Sequence, residues 1–157
     1  KVITQQLHKA PGIRFEVFTK EVKSETIENN IRFMPISNEG FTKSMIESAG
    51  VITGAGFETP AEALYLGKKL ICLPIRGQYE QLCNAAALEQ LGVPVVNKMH
   101  ATFFVDIAKW YDLPAPTPLK LTYSTYQLVQ KVIEQAKALS PSSQPDTQNE
   151  SLNSFAL

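Results

Sequence analysis

The sequence predicts an α/β fold in which a parallel sheet carries helices on both faces. Three observations predict it. Short apolar runs such as Val51-Ile52-Thr53 and Leu70-Ile71-Cys72-Leu73 read as buried strands. Segments with helical spacing alternate with them across short loops, the mark of βαβ units. Glycine-bearing turns stand where strands hand over to helices, at Gly54-Ala55-Gly56 and at Arg76-Gly77.

The elements follow in order. Val2 to Leu7 reads as the tail of a helix, stopped by Ala10-Pro11-Gly12. Arg14 to Thr19 alternates apolar and polar residues and is a strand. Asn29-Asn30 turns the chain into a second strand, Ile31 to Met34, ended by Pro35. Phe41 to Ser48 is a short helix with Phe41, Met45 and Ile46 on one face. After the Val51–Thr53 strand, Thr59-Pro60-Ala61-Glu62 opens a helix that Gly67 closes. The Leu70–Leu73 strand ends at Pro74, and a helix from Gln78 to Leu91 turns Leu82, Ala85, Leu88 and Leu91 inward. Val93 to Val96 is the last strand. Two helices remain, Phe103 to Tyr111 and Ser124 to Leu139. The second opens with a Ser124…Gln127 capping box and carries Tyr126, Val129, Ile133 and Ala136 on one stripe. Residues 140–157 are polar, with almost no apolar content, and read as a disordered tail behind a domain spanning 1–139.

Bulk numbers narrow the function classes. The 157 residues suit one domain with a real core, and 44% hydrophobic with 19% charged residues is ordinary for a globular protein. Lys+Arg and Asp+Glu are 15 each, so no basic field draws the chain to nucleic acid. No apolar stretch approaches the roughly 20 residues needed to cross a bilayer. No signal peptide opens the chain, so a cytoplasmic setting is expected; contact with the inner membrane face stays open. No Met opens it either, and a chain that starts inside a helix reads as a fragment. Cys72 and Cys83 form no disulfide framework and no zinc spacing, so no metal is expected. His8 and His100 read as surface residues.

Ligands of open α/β sheets bind beyond the carboxyl ends of the strands, at helix N-termini. Two such junctions stand out. At Gly54-Ala55-Gly56-Phe57-Glu58-Thr59 the glycines admit close approach, and the free N–H groups of the next helix make an anion site to which Thr59 adds a hydroxyl. This is no dinucleotide fingerprint, because the third glycine would fall at Thr59. Glu62 fits T-x-x-E with Pro at the first helical position, which is a capping box. The sharper reading is that the carboxylate accepts hydrogen bonds from a vicinal diol. At the second junction, Pro74 to Gln81, the residues Glu80 and Gln81 offer donors and acceptors suited to sugar hydroxyls, or simply form an exposed first turn. Arg76 could pair with phosphate or sit in solvent.

Taken together, Val51 to Glu62, Leu66-Gly67-Lys68-Lys69, Leu73-Pro74 and Glu80-Gln81-Leu82-Cys83-Asn84-Ala85 are similar to the donor-site signature of GT-B glycosyltransferases. The resemblance extends to bacterial predicted glycosyltransferases, the peptidoglycan N-acetylglucosaminyltransferase and plant UDP-sugar glucosyltransferases. It implies a Rossmann-like C-terminal half of a GT-B fold that binds a nucleoside-diphosphate sugar, UDP-linked, without a resident cofactor. Gly54, Ala55, Gly56, Phe57 and Thr59 match the residues that lodge the diphosphate, and Glu62 the ribose carboxylate. Glu80, Gln81 and Asn84 match the residues around the transferred sugar. Pro35 and Ile36, in the segment Met34 to Ser37, match the stretch that holds the base.

The match has departures. The plant enzymes carry a phosphate-contacting histidine where this chain has Gly54. The domain's first glycine-rich loop would precede Lys1. The catalytic base of inverting members, the acceptor and the chain's own N-terminal domain lie beyond this segment, which alone is expected to turn nothing over. A non-hydrolysing sugar-nucleotide epimerase half and a non-catalytic nucleotide-binding module are the competing expectations.

Overall fold

The computed structural model describes residues 2–10, 12–120, 122 and 124–139. The expected tail, 140–157, lies outside the described residues. The described chain separates into a unit ending at Lys120 and a second beginning at Leu121. The first contains helices α1 (Val2–His8), α2 (Asn38–Glu47), α3 (Glu58–Tyr65), α4 (Tyr79–Gln90) and α5 (Phe103–Asp112). Its strands are β1 (Phe15–Thr19), β2 (Thr26–Glu28), β3 (Ile31–Pro35), β4 (Gly50–Thr53) and β5 (Lys69–Cys72). The second contains α6 (Thr125–Leu139).

The fold is α/β, with parallel strands between two layers of helices. The expected single sheet is in fact two ladders. In one, β1 pairs with β3 in parallel and β2 pairs with the other edge of β3 antiparallel. In the other, β4 pairs with β5 in parallel, from Gly50↔Lys69 to Thr53↔Cys72. The antiparallel β2 was not foreseen. Its residues are all exposed, so no apolar periodicity marks them, and the turn into β3 is made by Asn29 at φ 52. Asn30 follows, and its side-chain amide donates to the carbonyls of Leu7, Ala10 and Ile13, closing the end of α1. His8 accordingly is half-buried against Asn30, with Nδ1 3.3 Å from Oδ1, rather than free on the surface.

The strand expected at Val93–Val96 is reduced to a bridge between Cys72 and Val95, with Cys72 N–H donating to Pro94 and Val96 N–H to Cys72. Pro94 has no N–H with which to lengthen the ladder. The bridge is parallel all the same, so it extends the order β4, β5 by one position.

Side chains of β4 and β5 alternate between two cores, as a doubly covered sheet requires. Val51, Leu70 and Cys72 pack with Met45 of α2, Ala63 of α3 and Ala85 and Leu88 of α4. Ile52, Ile71 and Leu73 point the other way, to Leu7 of α1 and Phe103, Ile107 and Trp110 of α5, where Phe15, Val17, Ile31 and Phe33 also converge. Burial of Phe103 and Ile107 is complete, and each contributes about 1.5–3 kcal/mol of transfer free energy.

Helix ends explain most of the local boundaries. Ser37 caps α2 by accepting from Gly40 N–H at 3.1 Å, so the helix starts ahead of Phe41. Lys68 Nζ donates to the carbonyls of Ile46 and Ser48 at the other end. Ser124 and Gln127 form the expected capping box, Gln127 N–H donating to Ser124 Oγ and Ser124 N–H to Gln127 Oε1. The apolar stripe of α6 is not buried within its unit, where none of its residues is a core residue. On α4 only Ala85 and Leu88 turn inward, while Leu82 and Leu91 are exposed.

Candidate functional site

The carboxyl end of β4 is Thr53, and the chain then runs through Gly54-Ala55-Gly56 into α3. Beyond β5, Leu73 to Gln78 leads into α4. Between these junctions lies an open cleft of about 470 Å³, lined by Thr53, Gly54, Gly56, Phe57, Glu58, Thr59, Pro60, Glu80 and Gln81. It stands where parallel α/β sheets bind ligands. Gly54, Gly56, Phe57, Thr59, Glu80 and Gln81 are thereby brought together from two stretches of sequence.

α3 begins earlier than the sequence pattern implies. Phe57 is its N-cap and caps with no side-chain bond, and Glu58, Thr59 and Pro60 already lie inside the helix. The Thr59…Glu62 capping box is therefore not formed: Thr59 is two residues too far along to cap, and Glu62 falls at the fifth helical position. The early start is tolerated because Pro60, at the third position, has no N–H to leave unpaired. Among the described residues, the N–H groups of Gly56, Phe57, Glu58 and Thr59 have no hydrogen-bond partner. With the helix dipole behind them, they make the floor of the cleft attractive to an anion. Glu62 sits one turn beyond Thr59, exposed, and its carboxylate bonds to no other described residue.

Loop geometry is fixed from α4. Gln81 Oε1 accepts from the N–H of Ala55 at 3.1 Å and of Ile75 at 2.9 Å, joining the two loops. Gln81 Nε2 donates to Gln78 Oε1 at 2.6 Å. Asn84, one turn on, donates from Nδ2 to the carbonyl of Ala55 at 3.1 Å. Ala55 is itself 0% exposed. Asn84 thus stands behind the loop and does not line the cleft. Pro35 and Ile36 also lie outside the lining, at the end of β3 and in the link to α2.

Exposed aromatic surface edges the site. Phe57 is 74% exposed and forms part of the cleft wall. Tyr79 is 81% exposed at the start of α4, and its hydroxyl pKa is raised, first by a hydrogen bond with Cys83 one turn on. Glu58 completes the wall and was not singled out in the sequence. It belongs to the first turn of α3 only because the helix starts before Thr59. Arg76 is exposed in the loop and outside the lining.

Fold and cleft together define a Rossmann-like α/β domain with a ligand cleft at the carboxyl edge of its β4–β5 ladder. A family model described as glycosyl transferase family 1 matches residues 2–109, and the chain belongs to that family. No match was found among curated proteins or among solved structures. The matched span contains β1 to β5, the cleft and the first two-thirds or so of α5, and stops short of α6. Among the described residues no helix is long and apolar enough to cross a membrane.

Proposed function

We propose that this glycosyltransferase domain is the donor-binding, C-terminal half of a two-domain enzyme, and that its cleft takes a UDP-linked hexose. The observation that carries the reading is the start of α3, where four successive residues with unpartnered N–H groups, Thr59 among them, line one cleft. Such a group of donors suits a diphosphate better than a neutral ligand. As the glycosidic bond breaks, negative charge grows on the departing diphosphate. The helix dipole, the N–H groups and Thr59 would stabilise that charge in place, without reorganising and without a resident cofactor.

The remaining assignments follow the resemblance to the donor-site signature, since of these residues only Glu80 and Gln81 line the cleft. Glu62, exposed one turn beyond Thr59 and just outside the lining, would accept hydrogen bonds from the ribose diol. Glu80 and Gln81 would lie beside the transferred sugar, with Asn84 behind the loop. The base would reach toward Pro35 and Ile36. A general base and the acceptor pocket would come from an N-terminal domain facing this cleft. We place the enzyme in the cytoplasm.

Calorimetric titration with UDP tests the proposal. Saturable binding by the chain, weakened at least tenfold in Glu62→Ala and in Thr59→Val, is the expected result. Absence of saturable binding, or equal binding by both variants, would overturn it.

A further inference from the structure

Hydrogen-bond capacity divides the labour at α4. A carboxamide oxygen has two lone pairs, and those of Gln81 are both taken, by Ala55 N–H and Ile75 N–H. Of its two N–H donors, one is committed to Gln78 Oε1. A sugar hydroxyl therefore finds no acceptor on Gln81 unless a backbone bond is broken. Asn84 spends a donor on the carbonyl of the same residue. Ala55 is thus gripped at both its N–H and its C=O by side chains three residues apart on one face of α4. Because Ala55 is completely buried, releasing either grip strands a polar backbone group away from water.

The structure assigns Gln81 and Asn84 as positioning residues for the Gly54–Gly56 loop, with the carboxylate of Glu80 beside them in the cleft. The inference rests on the donor-site reading for its ligand. The grip fixes the peptides on either side of Ala55, and the second of them carries the N–H of Gly56, a residue of the cleft lining. Gly54 fits the same account: a Cβ there would lie 3.2 Å from Gln81 Oε1, so the missing side chain leaves room for the clamp. Glu80 lines the cleft next to Gln81, and its carboxylate bonds to no other described residue. It remains able to accept from hydroxyls.

The test combines amide exchange with two probe ligands, UDP and UDP-glucose. In Gln81→Met, near-isosteric but without hydrogen bonds, the Ala55 and Ile75 amides should exchange at least tenfold faster. The Leu73 amide, which donates to Thr53, should not change. UDP and UDP-glucose should lose the same factor in affinity, about tenfold for a buried hydrogen bond left unmade. Gln81→Glu keeps an acceptor oxygen for both N–H groups and should keep both amides protected. It serves as the deciding variant if Gln81→Met does not fold. Glu80→Gln should weaken UDP-glucose and leave UDP unchanged. Retained protection of both amides in Gln81→Met overturns the assignment, as does lost protection in Gln81→Glu. A loss confined to UDP-glucose in Gln81→Met overturns it too and makes Gln81 the sugar reader. If the unmodified chain binds neither ligand, the donor-site reading falls while the exchange result still decides the clamp.

Discussion

The carboxamide oxygen of Gln81 stands 3.2 Å from the point where a Gly54 side chain would begin, whereas the same point on Gly56 meets nothing within 4 Å. Two glycines of one loop therefore exist for different reasons. Gly54→Ala must push the Gln81 carboxamide back and lengthen its bonds, at a cost of roughly 1 kcal/mol. Gly56→Ala should leave stability within about 0.5 kcal/mol. Both should weaken UDP, the first through the loop and the second by blocking the ligand. Thermal unfolding beside titration checks the pair. Equal stability loss in both variants would contradict the distinction.

Glu62 gives a cleaner separation of stability from binding. Since the capping box is not formed and its carboxylate is exposed, Glu62→Ala should unfold within about 0.5 kcal/mol of the parent. Loss of a true cap would cost about 1 kcal/mol. Chemical denaturation resolves the two.

Gly50 opens β4 against the ring of Trp110, and a Cβ there would come within 2.7 Å of the indole. Gly50→Ala should cost about 1–3 kcal/mol through overpacking. Trp110 is the only tryptophan in the chain, so its displacement should appear directly as a shift in emission. An unchanged spectrum with unchanged stability would show that α5 does not seat on β4 as described.

The two thiols should behave differently. Cys72 is 0% exposed and burial pushes its pKa up to about 11, while Cys83 is exposed on α4. A thiol reagent at neutral pH should modify one cysteine per folded chain, and peptide mapping should find it at Cys83. Unfolding should release the second. UDP should not protect Cys83, which does not line the cleft.

Arg32 links three segments, holding Glu25 with two nitrogens and Glu16, its cross-strand partner, with a third. The guanidinium lowers the Glu25 pKa from its usual 4.5. A carboxylate held below its unfolded value contributes fully above that value and loses the contribution as pH falls through the depressed one. Stability should therefore drop below about pH 4.5 more steeply in the parent than in Arg32→Gln. The difference should shrink in high salt, since all three groups are partly exposed.

Legibility of the sequence followed physical cause closely. The βα alternation was readable because Val51–Thr53 and Leu70–Leu73 are buried on both faces and so carry continuous apolar runs. β2 was not, because an exposed strand three residues long leaves no period to detect. The start of α3 was misplaced by a cap signature at Thr59, which lost to a helix that begins at Glu58. For the same reason Glu58 went unnoticed in the cleft wall. The two glycine turns stood out as strand-to-helix junctions, and residues from both line one cleft. Side-chain commitments, such as Gln81 to Ala55 and Ile75, were not, since they join residues up to 26 positions apart.

The alternation along β5 has a mechanical consequence. Leu70 and Cys72 belong to one core, Ile71 and Leu73 to the other, so a single short strand is shared property of both helix layers. Peeling away either layer strips one face of that strand and removes the support on which the opposite layer packs. The two cores should then have no independent melting temperatures. The β5 amides should be among the slowest to exchange, opening only with the first unit as a whole. The cleft hangs from the ends of this strand and its neighbour, and it inherits their rigidity.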